Sequence, residues 1–248
     1  AAAHCEAMRT CRPGMKEYEI EATLLHSFMR QGARFPAYSS IVGGGANGCV
    51  LHYVDNMAPL KDGDLLLIDA GAEYDYYAAD ISRTFPVNGK YSKAQRAVYE
   101  LVLEAQYAAI EQVRPGKHWN EPHEAAVEVI TDGLLRLGIL KGTLKRAIKE
   151  EKYKPYYMHR TGHWLGMDVH DVGDYKVEDE WRVFEPGMTL TVEPGLYLSP
   201  KTKGLAKKWW NTGIRIEDDV LVTKNGCEVL TRDVPKEIDE VEALMAGA

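Results

Sequence analysis

An α+β fold, with helices covering one side of a mainly antiparallel sheet, is what the order of local patterns in this sequence predicts. Helical periodicity gives way to strand chemistry, and that succession occurs twice, with "RPG" closing a helix at 12–14 and again at 114–116. The two passages share no sequence repeat, so a solenoid is not expected. With 248 residues and 45% hydrophobic content the chain can bury a full core. Lengths of about 200–250 residues are common for one such domain, so a single domain over 1–248 is expected.

The opening "AAAHCEAMRT" is helical in composition and has no initiator methionine, from which we expect that a preceding segment has been removed. "RPGM" at 12–15 breaks this helix, and "KEYEIEATLLHSFMRQGA" then places Ile20, Leu24 and Phe28 at i, i+4, i+8, an amphipathic helix ended by Gly32. From Tyr38 to Val54 the chain is Gly-rich and β-branched, and "DGDLLLIDAGAEYDYYAADISRTFPVNG" carries strand chemistry on both sides of "EYDY". The second half opens with a long helix, "SKAQRAVYELVLEAQYAAIEQV", then a second, "EPHEAAVEVITDGLLRLGI", in which Pro122 suits the first turn. "KRAIKEEKYK" reads as an exposed helix with i, i+4 ion pairs. Strands are expected again at "MDVHDV", "GMTLTVEPGLYL" and "TGIRIEDDVLVT".

Bulk properties exclude several classes of function. A net charge of −7, from 30 basic and 37 acidic residues well mixed along the chain, argues against nucleic acid or a membrane surface as partner. Cysteines 5, 11, 49 and 227 form no C-x-x-C pair and read as free thiols of a reducing cytoplasm, with no zinc knuckle. No run of 18 apolar residues and no basic-then-apolar opening suggests a membrane span or a secretory leader. "GGGANG" at 43–48 fits G-x-G-x-x-G, but "CVLHYVDN" after it reads as strand where a dinucleotide fold needs a helix. Neither G-x-S-x-G nor H-E-x-x-H occurs, and "KTKGLAKKWW" at 201–210 reads as a solvated loop over a packed aromatic.

The chemistry concentrates in carboxylates set into apolar strands. A two-residue turn at Tyr74–Asp75 would put Asp69 directly opposite Asp80, with Cβ atoms about 4.5–5.5 Å apart. Two like charges at that distance repel, and a bound cation would resolve the conflict. Taken alone, the pair fits better a solvent-facing or turn-capping aspartate. Glu193 ends an apolar strand in "LTVEPGLYL", and Glu217 follows Arg215 by two residues, on one strand face, where an Arg–Glu ion pair is the plain alternative. His159, His163 and His170 fall within twelve positions beside Gly162 and Gly166. Lone histidines are mostly core or surface residues, but carboxylates with imidazole form a hard, oxygen-rich donor set suited to Mn²⁺ or Co²⁺.

The ordered set Asp69, Asp80, His163, Glu193, Glu217 resembles the five-ligand dinuclear site of the pita-bread metallopeptidases. The strings "SIVGGGANGCVLHY", "DISRTFPVNGKYS", "MHRTGHWLGMDVHDVGDY", "EPGMTLTVEPGLYL" and "GIRIEDDVLVT" are most similar to the aminopeptidase P branch, from about residue 10 onward. The resemblance implies a pita-bread fold with pseudo-symmetric helix-then-sheet halves, and two divalent ions, Mn²⁺ with Co²⁺ or Zn²⁺ as alternatives. Asp69 would chelate one ion, Asp80 and Glu217 would bridge both, and His163 and Glu193 would complete the second. His52, His159 and His170 match outer catalytic histidines, Glu193 the general base and Arg215 an arginine behind the ligands. Arg160 departs from the "HG" of the family segment. Relatives usually carry an N-terminal domain of different fold, absent from this chain, that helps build the oligomer; homo-oligomerisation is compatible with the family. The implied activity is release of the first residue from a peptide with proline second. Prolidase, which shares "GHxLGxDVHDVG" and cuts dipeptides, is the alternative. A non-catalytic module of the same fold is a third reading, disfavoured because all five ligands are retained.

Overall fold

The computed structural model describes residues 1–247. Helices α1 (Ala2–Thr10) and α2 (Glu17–Arg30) open the chain, and the expected stripe of α2 is buried at Ile20, Leu24 and Phe28. Strand β1 (Phe35–Pro36) is followed by β2 (Ile41–Gly44), which pairs with β3 (Leu65–Asp69). The chain continues through β4 (Ala72–Tyr74), turns at Asp75–Tyr76, and returns through β5 (Tyr77–Ala78) and β6 (Ser82–Pro86). Three helices follow: α3 (Lys93–Ile110), α4 (Glu121–Arg136) and α5 (Leu144–Lys149). Ser92 caps α3, its Oγ accepting from the Gln95 N–H while Gln95 Oε1 accepts from the Ser92 N–H. A small hairpin, β7 (Lys176–Val177) and β8 (Glu180–Trp181), precedes β9 (Thr189–Val192), β10 (Gly195–Leu198), β11 (Thr212–Arg215), β12 (Asp218–Val222) and β13 (Cys227–Val229). Helix α6 (Ile238–Ala246) closes against α1. Every strand pair among the described residues is antiparallel, and one apolar core joins helices to sheets, so the fold is α+β as expected.

Each half contains one long hairpin broken in mid-arm. In the first, β3 pairs with β6 in the register Asp69↔Ser82, while the outer arms β4 and β5 pair with each other and β4 also pairs with β1. In the second, β9 pairs with β12 in the register Val192↔Asp218, while β10 and β11 form a separate ribbon. The breaks carry the acids: Asp69 and Asp80 flank the first pair, Glu193 and Glu217 the second. Backbones come close at the breaks, and a Cβ on Gly71 would lie 1.6 Å from the Ala79 carbonyl oxygen. Gly71 is thus obligatory where the arms cross beside Asp69 and Asp80.

Several expectations are corrected. The turn lies one residue later than Tyr74–Asp75, at Asp75–Tyr76, both with positive φ, so Asp69 faces Ser82 and Asp80 is a diagonal neighbour. Moving a turn by one residue shifts pairing by two, which preserves the side-chain face, so the two acids still converge. "MDVHDV" is a succession of bends and not a strand: its ladder partners are missing, and the Asp168 N–H bonds to Asp171 Oδ1 instead. "CVLHYVDN" continues a 3₁₀ turn at Gly45–Cys49 into irregular chain, held by Glu17, which accepts from Asn47 before it, Tyr53 within it and Ala58 after it. Glu217 does not share a strand with Arg215, since Ile216 and Glu217 form the break between β11 and β12. The helix in "KRAIKEEKYK" ends at Lys149, with turns beyond it, although the Arg146–Glu150 pair forms at 2.6 Å.

Behind the second break sits a fully buried ion pair. Arg83 Nη2 lies 2.7 Å from Asp218 Oδ1, and Arg83 Nη1 donates to the carbonyls of Ser82 and Glu217 at 3.0 and 2.6 Å. Burial alone would raise the Asp218 carboxyl; Arg83 and Lys236 overcome it and hold the group well below the usual range. Removing Arg83 leaves a buried carboxylate short of one countercharge. Arg83→Met is expected to lower stability by about 3–5 kcal/mol, read as a shifted urea midpoint; a loss under about 1 kcal/mol would show that Lys236 suffices.

Candidate metal centre and active site

Asp69, Asp80, His163, Glu193 and Glu217, with His52, His159, His170 and Arg215, all line one cleft of about 260 Å³, completed by Leu51, Arg160 and Gly162. Residues separated by up to 165 positions meet because both broken hairpins turn their breaks toward it. Gly162, between His159 and His163, lets the loop press on β9, where a Cβ would meet the Thr191 carbonyl at 2.0 Å.

Ligating atoms of Asp80, His163 and Glu217 all lie within 4.8 Å of one another. His163 Nδ1 is 2.9 Å from the Trp164 carbonyl, which accepts only from an N–H, so Nε2 is the nitrogen that faces the acids. It lies 3.3 Å from Asp80 Oδ2 and 3.8 Å from Glu193 Oε1. Asp69 is held from two sides: Arg215 Nη2 is 2.6 Å from its Oδ2, and Tyr38 Oη donates to its Oδ1 at 2.6 Å. Tyr38 Oη also touches Asp80 Oδ1. One phenol has a single proton, so Tyr38 shares it between the two carboxylates and ties Asp69 to Asp80. Ser82 Oγ accepts from Arg215 Nε at 2.9 Å and donates to Glu217 Oε2 at 2.7 Å.

The electrostatics follow from this crowding. Burial raises Asp80 to about 6, helped by the Asp69 charge, and raises Glu193 to about 8 against the pull of His163 and Arg215. Glu217 is driven well above the carboxylate range by burial and by Asp80 and Glu193. Burial would also raise Asp69, but the Arg215 guanidinium and the Tyr38 bond bring it below its ordinary value. For His163 the bond to Asp80 and the charge of Glu193 outweigh burial and lift it to about 9. Protons therefore occupy the positions between donors that a cation would take. Hard oxygen donors, an imidazole with its free nitrogen turned inward and surplus negative charge fit a divalent metal.

The outer histidines are fixed differently. His159 Nδ1 donates to the Arg160 carbonyl at 2.7 Å, so Nε2 accepts from Tyr197 Oη at 2.8 Å, and that oxygen takes Arg215 Nη1 at 2.7 Å. Burial and the Arg215 charge lower His159 to about 3, leaving it neutral. His170 packs edge-on to His163 with ring centres 4.3 Å apart, and burial and His163 lower its pKa. His52 stands on the 44–58 loop, which Glu17 organises by accepting from Gly44 N, Asn47 Nδ2, Tyr53 Oη and Ala58 N at 2.7–2.9 Å. The plain alternative for Glu217 fails, since the carboxylate that pairs with Arg215 is Asp69.

Sequence reasoning missed Glu17, Tyr38, Ser82 and Tyr197. Only Glu17 carried a signal: it lies three residues before Ile20, inside the apolar stripe of α2, where an acid needs a buried partner.

The sequence pattern of metallopeptidase family M24 matches residues 1–224. The Xaa-Pro aminopeptidase of Escherichia coli strain K12 is 50% identical over 248 residues, all of this chain and 56% of that protein. The structure of Pseudomonas aeruginosa aminopeptidase PepP is 61% identical with a TM-score of 0.99, over all of this chain and 56% of that one. A zinc-substituted E. coli aminopeptidase P in complex with product is 50% identical with a TM-score of 0.96, over 99% of this chain and 56% of that one. The chain thus spans about half the length of the relatives it matches.

Asp80, Glu193 and His163 all titrate higher when folded, at about 6, 8 and 9, than their ordinary 3.8, 4.5 and 6.5. Each adds stability that is full below its ordinary value and lost by its folded one, so Asp80 has lost its share by about pH 6 while Glu193 and His163 lose theirs up to about 8 and 9; His159, at about 3, stays neutral above pH 6.5. Metal-free protein is therefore expected to melt progressively lower from about pH 6 to 9, and Mn²⁺ to remove most of that slope. Calorimetry with and without chelator reads it; a chelated protein whose Tm rises over this range would contradict the assignment.

Proposed function

Because the chain belongs to metallopeptidase family M24, we propose that it is a metal-dependent aminopeptidase that removes the first residue of peptides with proline in second position. The observation that carries this reading is the convergence of five donor residues and four outer groups on one cleft, in a chain half identical to an Xaa-Pro aminopeptidase. In this reading residues 1–248 form one catalytic domain, and the four free thiols support a reducing compartment such as the cytoplasm.

Asp69, Asp80, His163, Glu193 and Glu217 would hold two divalent ions, manganese in our reading, which when bound acidify water near neutral pH and polarise the scissile carbonyl. Glu193, on the cleft 3.8 Å from His163 Nε2, would take a proton from the attacking water and return it to the leaving nitrogen. A prolyl nitrogen in a peptide bond has no hydrogen, so expelling it requires that proton to arrive on the nitrogen itself. Arg215 keeps Asp69 ionised and, through Tyr197, keeps His159 in one tautomer. His159 would orient the peptide downstream of the cut, His52 would contact the leaving side, and neutral His170 at the rim would donate to the developing oxyanion.

Offered Arg-Pro-Pro, Gly-Pro and Met-Ala-Ser with Mn²⁺, the protein is expected to cut the first most efficiently. A preference for Gly-Pro would mean prolidase, and for Met-Ala-Ser methionine aminopeptidase. The bends that carry His170 replace the strand expected for it, and its imidazole lines the cleft, which supports the proposed donor role. His170→Ala is expected to lower kcat on the order of 10²–10³-fold with KM and metal content nearly unchanged; normal kcat with metal retained would remove it from the catalytic set.

A further inference from the structure

Beside the catalytic cleft lies a larger groove of about 560 Å³ that shares Arg160 and Gly162 with it as a common wall. Trp119, Tyr175 and Trp181 line it, and the Trp119 ring packs 4.8 Å from Tyr175 and 4.1 Å from Trp164, the neighbour of His163. Two cations stand over its outer indole: Arg160 Cζ is 5.1 Å and Lys176 Nζ 4.6 Å from the Trp181 ring centre. Among the described residues neither has a carboxylate within 4.0 Å. An apolar aromatic floor beneath two unpaired cations suits a ligand with an apolar or ring side chain next to a carboxylate.

The catalytic cleft says which part of a substrate this would be. An aminopeptidase holds one residue upstream of the cut, so any chain that runs out of the cleft is the leaving peptide. We propose that the groove is a subsite for that leaving peptide, its C-terminal carboxylate on Arg160 and its last apolar side chain against Trp119, Tyr175 and Trp181. This rests on the aminopeptidase reading and adds a length and terminus preference to it: short peptides with a free, apolar C-terminal residue are favoured over their amides.

Binding without turnover separates the two ideas. The peptide Pro-Ala-Phe, which has no proline in second position, is titrated calorimetrically as free acid and as C-terminal amide into the Mn²⁺-loaded chain. The acid is expected to bind about tenfold more tightly than the amide. Arg160→Gln should erase that difference, and Trp181→Ala should weaken both forms several-fold, with Tm reporting that each variant is folded. In parallel, Arg-Pro-Ala-Phe acid and amide should differ about tenfold in KM and little in kcat. Equal binding of acid and amide by the wild type overturns the subsite, as does an acid preference that survives in Arg160→Gln. An acid preference lost in Arg160→Gln, without cleavage of any prolyl peptide, supports the groove and overturns the aminopeptidase reading; cleavage with equal binding does the reverse.

Discussion

Asp69, Asp80, Glu193 and Glu217 share one cleft in which Asp80 and Glu217 are 5% and 1% exposed, and their mutual repulsion constrains everything around them. Four charges at such spacing in a poorly solvated site cannot coexist unaided. The chain meets this with graded compensation. Asp69 has a permanent cation, Arg215, and stays ionised; Asp80 shares a phenol with it and is raised; Glu193 and Glu217, deeper in the repulsion, are raised further. His163 completes the set by becoming the cation that the acids lack. A divalent ion is the natural replacement for those protons, and exchanging them ties metal affinity, pH and stability to the same few atoms.

Packing makes the crowding possible. A regular hairpin would spread its acids along the pleat, whereas a hairpin broken in both arms gathers one acid at or beside each break. Two such hairpins, one from each half, supply four carboxylates, and Arg83 locks the seam by bonding the carbonyls of Ser82 and Glu217 while neutralising Asp218. The energetic cost of convergence is thus carried by groups outside the cleft. Glu17 does the same for the loop of His52: a buried carboxylate on α2 takes four donors from residues 44–58 and replaces a missing ladder.

The set of residues that converge on the cleft was legible in the sequence, because residue type and chain order are local properties of short strings. The helices were legible for the same reason: the stripe of Ile20, Leu24 and Phe28 has one periodicity and one burial. The breaks were not. Strand chemistry resumes beyond both Glu193 and Glu217, so continuous strands fit the pattern until Pro194 and the crossing at Gly71 are placed in three dimensions. Face survived where register did not, since the turn error preserved parity. "MDVHDV" alternates like a strand yet has no partner to pair with, and alternation without a partner carries no ladder. Tyr38 and Tyr197 gave no sign because a tyrosine in an apolar segment is ordinarily core, and only the positions of Asp69, Asp80 and Arg215 make their hydroxyls functional.

The loop from His159 to His163 shows how chemistry and selectivity can be built on one scaffold without conflict. It contributes an inward nitrogen at His163, a fixed neutral ring at His159, and Arg160 on the wall between cleft and groove. The bond that sets the His159 tautomer runs to the carbonyl of Arg160 and not to its side chain. Any residue at 160 can supply that carbonyl, so the side chain there is free to vary with the substrate while the histidine it orients is untouched. A change of side chain at this position therefore falls where the backbone carbonyl fixes a ring and the side chain does not, which is where it disturbs the carboxylate cluster least.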